Sequence, residues 1–313
     1  MKKILITGGA GFIGSHLCDA LIKKGYKVIC VDNLLTGSEV NIAHLKGNEN
    51  FEFIEKDVVK NEINVDDLDY IFHLASPASP ADFSKLSEEI ALANSLGTIK
   101  MLELANANEA KILIASTSEV YGDPLEHPQK ESYWGNVNSF GPRACYDESK
   151  RFAETMSFIY LKKYDLDVRI VRIFNTYGPR MRKDDGRAVS NFINRALEGK
   201  PLQIHGDGKI TRSFCYYQDL VKGIEKALFV EDTKGEVINL GNLEEYSIVD
   251  FAKKIIKLTK SKSKIVYKPA APDDPKKRKP DITKAKNLLN WKPKVGLDEG
   301  LKKTIAYNQK QGD

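Results

Sequence analysis

Cysteine and histidine are scarce in this sequence, and long apolar runs are missing from it. The 313 residues include four cysteines without a C-x-x-C pair and five histidines that lie far apart. We therefore expect no zinc site, redox pair, disulfide or catalytic metal. Apolar stretches stay well short of the ~18–20 residues that cross a membrane, and we see no secretory signal before the first strand. These absences predict a cytoplasmic protein without a membrane partner.

The sequence also has no large excess of charge of one sign. The net charge of +5 is small for this length, and basic residues alternate with acidic ones instead of forming an arm. We therefore expect no nucleic-acid partner, although local positive charge can still hold an anionic substrate. The hydrophobic content of 42% is ordinary for a globular protein with a sizeable core.

Apolar runs typical of buried strands recur through the first half of the chain, with helix-length segments between most of them. They are Lys3–Thr7, Lys27–Val31, Phe51–Ile54, Tyr70–Leu74, Lys111–Ala115 and Val168–Phe174. Strands and helices that alternate at this spacing indicate βαβ units, whose crossover helices cover both faces of a parallel sheet. The sequence therefore predicts an α/β fold with a doubly wound, Rossmann-like parallel sheet.

The second half of the chain has a looser pattern. After Gly178 the sequence is rich in Arg, Asp and Gly, then shows short helical and strand-like pieces, and residues 268–280 hold four prolines among charges. We predict a smaller α/β domain here. The first domain would comprise residues 1–175 and about 214–244, and the second about 176–213 and 245–313.

A glycine-rich turn follows the first predicted strand and opens a helix. Gly8, Gly11 and Gly14 allow a tight turn and a close approach of a pyrophosphate to the helix N-terminus. The second strand ends at Asp32, 18 residues after Gly14, where a carboxylate can bind the adenosine ribose and repel a 2′-phosphate. This pattern predicts an NAD site. Asp57, just past the third strand, could reach the adenine. The alternative for the glycines and Asp32 is a structural turn with Asp32 in a loop, and the alternative for Asp57 is an ordinary capping or loop aspartate.

A tyrosine and a lysine four residues apart mark a second candidate site. Tyr146 and Lys150 share one face of the predicted helix Cys145–Lys163. An ammonium beside a phenol should lower the pKa of the tyrosine and make it a base for a sugar hydroxyl. Thr117 follows the strand Lys111–Ala115 at the carboxyl edge of the sheet, where it could share the same substrate oxygen. By itself such a pair could also belong to an ordinary surface helix.

Longer strings in the same regions resemble the extended short-chain dehydrogenase/reductase family over nearly the whole chain. They are His73–Pro80, Ser116–Asp123, Tyr133–Asn138, Gly141–Glu148, Arg172–Met181, Asp185–Asn191 and Gly206–Phe214. Members of that family join an NAD domain to a small domain for nucleotide sugars. Within the family, these strings resemble the branch that decarboxylates UDP-glucuronate.

The resemblance implies a reaction with no net redox change. Tyr146 would take the proton from the sugar 4-hydroxyl, with Thr117 assisting and Lys150 holding the cofactor ribose, while the C4 hydride passes to NAD. A 4-keto group makes the sugar a β-keto acid, so carbon dioxide can leave with its electrons delocalised into the ketone. Protonation of C5 and return of the hydride would give UDP-xylose, and NAD would be regenerated in place.

The resemblance also assigns the remaining site residues. The NAD site would comprise Gly8, Gly11, Phe12, Ile13, Gly14, Asp32, Asn33, Thr36, Gly37, Asp57, Val58, Leu74, Ala75, Ser76, Asn94, Tyr146 and Lys150. The UDP-sugar site would comprise Asn175, Arg187, His205, Arg212 and Arg278. Glu119 and Arg212 would lie near the sugar C5 as catalytic residues, the alternative for either being a surface salt bridge. Arginine suits phosphate because its fork pairs bidentately.

Relatives of this kind commonly dimerise through two helices. The resemblance therefore implies a homodimer in which the predicted helices Glu88–Asn106 and Tyr146–Tyr160 pair with their copies.

Several positions bear on the activities that compete with decarboxylation. Phe83 stands where the decarboxylases usually carry tyrosine, which leaves the substrate identity open. A nucleotide-sugar 4,6-dehydratase would need an acid where Ser118 stands, and a 4-epimerase would need neither Glu119 nor Arg212. A non-catalytic NAD-sensing regulator would share the fold, but Thr117 and the Tyr146 pair favour an enzyme.

Overall fold

The computed structural model describes residues 1–270 and 272–310 and contains fourteen strands within them. The strands are β1 Lys3–Thr7, β2 Lys27–Asp32, β3 Phe51–Glu55, β4 Tyr70–His73, β5 Lys111–Thr117, β6 Val168–Ile173, β7 Thr176–Tyr177, β8 Leu202–His205, β9 Thr211–Ser213, β10 Cys215–Tyr216, β11 Val237–Leu240, β12 Glu245–Ser247, β13 Ile265–Lys268 and β14 Lys277–Arg278. The helices are α1 Phe12–Lys23, α2 Ser87–Leu92, α3 Thr98–Ala107, α4 Ala144–Tyr164, α5 Ala188–Leu197, α6 Tyr217–Phe229, α7 Ile248–Thr259, α8 Thr283–Leu289 and α9 Leu297–Lys310.

Seven parallel strands form the central sheet, in the order β11-β6-β5-β4-β1-β2-β3. The predicted doubly wound α/β fold is therefore confirmed, and each of the six predicted strands is present with ends that differ by no more than two residues. Strand β5 continues to Thr117 because Ser116 and Thr117 still pair with Arg172 and Ile173 of β6.

Helices cover both faces of this sheet. One apolar cluster joins the sheet to α1, α6 and α8, and it includes Leu17, Ile224 and Leu289. A second cluster joins the opposite face to α3 and α4, and it includes Leu102 and Ala153. Because helices cover both faces, the strands β1, β2 and β5 are nearly continuous apolar runs, whereas the edge strand β3 alternates apolar residues with glutamate.

The predicted helix from Glu88 to Asn106 is present but not uniform. It consists of α2, a π-helical segment Ala93–Gly97, and α3. A Cβ at Gly97 would lie 2.9 Å from Val58 Cγ2, so a larger residue here would have to displace the Val58 side chain in the loop after β3. The hydrophobic periodicity could not reveal this one-turn widening of the helix.

A third apolar cluster lies outside the central sheet. It joins α5, α7 and α9 through residues such as Phe192, Phe251 and Leu301. Three small sheets lie in the second half of the chain: β12-β9-β14, β13-β8 and β10-β7. The bounds given above for the two domains stay a prediction. Among the residues that the structure describes, no helix is both long and apolar enough to cross a membrane.

Candidate active site

A cleft of about 970 Å³ follows the carboxyl ends of the central strands. It is lined by most of the predicted site residues, namely Gly8, Gly11, Phe12, Ile13, Gly14, Asp32, Asn33, Thr36, Gly37, Asp57, Val58, Leu74, Ala75, Ser76, Thr117, Glu119, Tyr146, Lys150, Asn175, Arg187, His205 and Arg212. These residues are far apart in sequence. They meet because parallel strands present their carboxyl ends at one edge of the sheet.

The glycine turn forms a cradle at one end of the cleft. Gly8 has φ +70°, and a Cβ there would lie 2.9 Å from the backbone nitrogen of Ala75. A Cβ at Gly14 would overlap the carbonyl of Gly8. Helix α1 begins at Phe12, and its N-cap Gly11 supplies no side chain to bond the first N–H groups. Those N–H groups and the helix dipole are suited to bind a phosphate.

Asp32 lies beside this cradle at the end of β2. Its carboxylate accepts hydrogen bonds from the backbone nitrogens of Ala10 at 3.0 Å and Leu34 at 2.9 Å. Burial raises the pKa of Asp32, although these backbone donors oppose the shift. A Cβ at Gly37 would lie 2.7 Å from Asp32 Oδ1, so the loop can approach the carboxylate only with a glycine there.

Asp57 also lines the cleft, and it closes a turn. Its carboxylate accepts hydrogen bonds from Asn33 Nδ2 at 2.9 Å and from the backbone nitrogen of Val59 at 2.8 Å. Partial burial raises the pKa of Asp57, but these hydrogen bonds outweigh it and hold the pKa below its usual range. The position is thus compatible with both the adenine contact and the capping role.

Tyr146 and Lys150 lie on the first two turns of α4, and both side chains are buried. Lys150 Nζ donates to the carbonyl of Ala115 at 2.7 Å and lies 6.0 Å from the centre of the Tyr146 ring. Burial lowers the pKa of Lys150 to about 7. Burial also raises the pKa of Tyr146 to about 12, against the effect of a hydrogen bond with Thr117.

The expectation that Lys150 lowers the pKa of Tyr146 is therefore wrong for this structure. Lys150 points its ammonium at a strand carbonyl, and its own charge is disfavoured by burial. Desolvation of the phenolate outweighs any attraction from a lysine held in this way.

Phe83 packs directly on Tyr146. The two rings are stacked with centroids 5.1 Å apart and planes at 23°. The guanidinium of Arg143 lies 5.4 Å from the centre of the Phe83 ring. The unusual residue at position 83 therefore supports the tyrosine by ring stacking and carries no hydroxyl toward the cleft.

Glu119 lies in the helical turn Ser118–Tyr121 that directly follows β5, and its carboxylate contacts two arginines. Its Oε2 is 2.5 Å from Arg143 Nη2 and 3.2 Å from Arg278 Nη2. Burial raises the pKa of Glu119, but Arg278, Arg143 and, further away, Arg212 outweigh it and lower the pKa to about 2. The alternative of a surface salt bridge is wrong for Glu119, because the side chains of both close partners are largely buried.

Sequence reasoning missed Arg143 as a site residue. It lies immediately before α4, in the same string as Tyr146, and it lines the cleft. Its spacing of four residues from Asp147 is a signal for a helical ion pair, and the structure has Arg143 Nε 3.7 Å from Asp147 Oδ2.

Two predicted ligand contacts do not lie in the wall of the cleft. Arg278 is fully buried behind Glu119, where it donates to the carbonyls of Ser118 at 2.7 Å and Gly122 at 2.9 Å. Asn94 is also buried, and its Nδ2 donates to Ser149 Oγ at 3.0 Å. Neither side chain lines the cleft, and protein acceptors bind these donors, although Asn94 Oδ1 and Arg278 Nε have no hydrogen-bond partner among the described residues.

The remaining predicted residues line the opposite wall. Arg187 is held by Asp185 through contacts of 2.5 and 2.7 Å, and Arg212 donates to Asp274 at 2.8 Å. Asn175 Nδ2 is buried without a hydrogen-bond partner among the described residues. His205 is exposed, and its Nδ1 lies 3.0 Å from the carbonyl of Pro269. This wall thus offers two oriented guanidinium groups and a free amide donor.

A further arginine, Arg180, was not predicted. It lines the cleft, and its Nη2 is 2.8 Å from Asp19 Oδ2 on α1. Its Nη1 is buried and has no hydrogen-bond partner in the part of the chain that the structure describes. Only the tertiary contact between α1 and the loop after β7 brings it there.

Known proteins resemble the chain over almost its full length. A family model described as GDP-mannose 4,6 dehydratase matches residues 5–304. UDP-glucuronic acid decarboxylase 1 of Xenopus tropicalis is 52% identical over 310 residues, which are 99% of this chain and 73% of that protein. UDP-glucuronic acid decarboxylase 1 of Arabidopsis thaliana is 50% identical over 304 residues, 97% of this chain and 69% of that protein.

Solved structures agree with this relationship. UDP-glucuronic acid 4-epimerase of Bacillus cereus, in complex with UDP-glucuronic acid and NAD, has a TM-score of 0.90, 33% identity and 99% coverage of both chains. UDP-glucose 4-epimerase of Thermotoga maritima, with UDP-glucose, has a TM-score of 0.90, 32% identity and coverage of 99% of this chain and 100% of that one. The chain therefore belongs to the extended short-chain dehydrogenase/reductase family, in the group that the GDP-mannose 4,6 dehydratase model describes.

Proposed function

We propose that this protein is an NAD-dependent UDP-glucuronate decarboxylase that forms UDP-xylose. The observation that carries the proposal is the placement of Glu119, with its arginines, in the same cleft as the Tyr146 and Thr117 pair. A 4-epimerase of a neutral sugar has no need of such a charged group beside the sugar, whereas the choice against a 4-epimerase of UDP-glucuronic acid rests on sequence identity. The decarboxylase relatives at 50–52% identity support the same choice.

The cradle and Asp32 fit NAD. The glycine turn leaves room that any Cβ would fill, and it presents the free N–H groups of α1 to a pyrophosphate. Asp32 would bind the adenosine ribose, and the unpartnered Nη1 of Arg180 would add a positive contact to the dinucleotide. When bound, NAD supplies a reversible acceptor for the C4 hydride of the sugar. Lys150, beside Tyr146, would hold the second ribose.

Tyr146 would remove the proton of the sugar 4-hydroxyl. The hydrogen bond from Thr117 stabilises the phenolate, whereas burial opposes it and keeps the pKa at about 12. Positive charge brought close to the ring by the bound cofactor and Lys150 would favour the phenolate further. The ring is held for this role by its stack on Phe83.

The arginines that line the cleft would bind the carboxylate and the UDP group of the substrate. We assign the glucuronate carboxylate to the region between Arg143 and Arg212, and the UDP group to Arg187, Asn175 and His205. A 4-keto group lets the C5–carboxyl bond break with its electron pair entering the carbonyl. Ser118 provides no strong acid for the loss of a 6-hydroxyl, which disfavours the 4,6-dehydratase reaction.

We further propose that two copies associate through α2 and α4. Several large apolar side chains on these helices and on the π-helical segment that follows α2 are exposed in the single chain: Leu92, Leu96, Phe152, Phe158 and Ile159. An apolar surface of this kind is typical of an interface between copies. We keep the cytoplasm as the proposed compartment, which the four free cysteines fit.

The decisive experiment is to incubate the purified protein with NAD and UDP-glucuronate, to identify the nucleotide sugars by mass spectrometry, and to trap carbon dioxide. UDP-pentose with matching carbon dioxide is the expected result. A product of unchanged mass would support a 4-epimerase instead. Unchanged UDP-glucuronate, with loss of water from dTDP-glucose or UDP-glucose, would support a 4,6-dehydratase.

A further inference from the structure

A charge cluster surrounds Glu119 at the edge of the cleft. Its members come from four separate segments of the chain and comprise the carboxylates Glu119, Asp147 and Asp274 and the guanidinium groups Arg143, Arg212 and Arg278. With every member ionised the three negative and three positive charges balance. The cluster is largely shielded from water, so an added charge must be compensated locally.

The two carboxylates that share Arg143 are held very differently. Glu119 Oε2 accepts hydrogen bonds from Arg143 Nη2 at 2.5 Å and from Arg278 Nη2 at 3.2 Å. Asp147 is only 5% exposed, its Oδ2 is 3.7 Å from Arg143 Nε, and its Oδ1 is buried without a hydrogen-bond partner among the described residues. An ionised carboxylate with an unbonded buried oxygen is poorly stabilised. Of the two, Asp147 is the one that can gain a proton at least cost.

The proposed reaction requires a proton. Loss of carbon dioxide from a carboxylate leaves the electron pair of the broken bond on the sugar, first as the enolate, and a new C5–H bond then uses one proton. The overall change is R–COO⁻ plus H⁺ giving R–H plus CO₂. Before that step, entry of the substrate carboxylate brings one extra negative charge to the balanced charge cluster.

We propose that Asp147 takes up one proton when the carboxylate of the acidic sugar binds, so that the charge cluster stays neutral. This role rests on the proposed function, and it makes Asp147 a positioning residue for an acidic substrate. The proton on Asp147 would keep Arg143 available for the incoming carboxylate. A sugar without a carboxylate, such as that of UDP-glucose, brings no such charge and should cause no uptake.

The groups that face Asp147 agree with this assignment. Burial, Glu119 and Glu148 together raise the pKa of Asp147 to about 7, against the opposing effect of Arg143 and Arg278. In the free protein at pH 8 the group is therefore mostly ionised. An additional nearby carboxylate acts in the same direction as Glu119, so substrate binding should move the group toward its protonated form.

The test uses Tyr146→Phe, which is designed to bind the substrate without turning it over, loaded with NAD. Its binding enthalpy for UDP-glucuronate is measured by titration calorimetry at pH 8 in HEPES and in Tris, whose ionisation enthalpies differ. We expect uptake of about one proton per site for UDP-glucuronate and none for UDP-glucose. Equal uptake for both sugars, or none for either, would overturn the proposal.

Two further variants identify the group. Adding Asp147→Asn should abolish the uptake, because the amide cannot take the proton. Adding Glu148→Gln, which removes the neighbouring carboxylate that pairs with Arg151 at 3.5 Å, should retain the uptake, because its loss lowers the pKa of Asp147 and leaves the free group ionised at pH 8. Uptake that persists with Asp147→Asn would assign the proton to another group, such as Lys150, and would refute the role given to Asp147.

The pH dependence of substrate binding tests the proposal even if the Asp147→Asn variant does not fold, because it needs only Tyr146→Phe. Above pH 8 the Kd of Tyr146→Phe for UDP-glucuronate should rise about tenfold per pH unit relative to that for UDP-glucose, because binding and protonation are linked. Parallel pH profiles for the two sugars would contradict the proposal. Failure of the proposed function is distinguishable, since it would appear as wild-type protein that binds UDP-glucuronate without releasing carbon dioxide.

Discussion

The two ends of the cleft are built in different ways. The cradle end is formed by a short stretch of sequence, in which Gly8, Gly11 and Gly14 lie on one turn and Asp32 ends the next strand. The charge cluster draws its members from the turn after β5, the start of α4, β9, and the segment from Asp274 to Arg278. A local motif can be recognised from its spacing, whereas an assembled cluster exists only once the chain has folded. The predictions below test whether the two ends also function and fail separately.

The largest effect is expected at Tyr146, which lies between the two ends. Tyr146→Phe should lower kcat by about 10³-fold or more, because the base for the 4-hydroxyl is lost. Binding of NAD, measured by calorimetry, should change by less than about twofold, since the phenol contributes little to the cradle. As a control, Tyr164→Phe at the exposed end of α4 should retain full turnover. Substantial turnover by Tyr146→Phe would contradict the role of Tyr146 as the base for the 4-hydroxyl.

Arg278 should matter more for stability than any residue of the cradle. Arg278→Met leaves Glu119 and the carbonyls of Ser118 and Gly122 without their buried donor. Breaking a buried pair on one side costs about 3–5 kcal/mol, so we expect a loss of that order in the free energy of unfolding by urea.

The neighbouring Lys277 is exposed and gives a matched control. Lys277→Met should change the free energy of unfolding by less than about 0.5 kcal/mol. Equal stabilities for the two variants would show that Arg278 does not hold the charge cluster together.

Asp32 should matter for the cofactor and not for the sugar. Asp32→Asn removes the charge that would bind the ribose and repel a 2′-phosphate, and we expect a loss of about 1–3 kcal/mol in NAD binding. Binding of NADP should improve in the same variant, as measured by calorimetry. The Kd for UDP-glucuronate in the presence of saturating NAD should stay unchanged. A shift in sugar affinity would mean that the two ends are coupled.

The smallest effect is expected at Phe83. Phe83→Tyr keeps the stack on Tyr146 and adds a hydroxyl, so kcat should change by less than about threefold. Phe83→Leu removes the ring and should lower kcat by about tenfold, because the phenol loses the surface that orients it. The ratio of the two kcat values separates ring stacking from hydrogen bonding. A larger loss for tyrosine than for leucine would contradict the positioning role.

Most of the cleft was predictable because its contacts are local or follow from the fold class. Once the strands are known to be parallel, the residues after β1, β4 and β5 must meet at one edge of the sheet. The helical spacing of Tyr146 and Lys150 placed both on one face of α4 in the same way. The edge strand β11 and the π-helical segment Ala93–Gly97 were not predicted, since a strand of four residues and one widened turn leave no distinct periodicity.

The sequence by itself determined the sheet, the cradle, the acidic residue beside it and the reactive pair on α4, because spacing along a strand or helix dictates direction in space. Tertiary structure alone decided how the charges are used. It buried Arg278 behind Glu119, brought Arg143 and Arg180 to the cleft, and reversed the expected pKa shift of Tyr146. Desolvation and pairing depend on every segment that surrounds a group, and no local pattern contains that information.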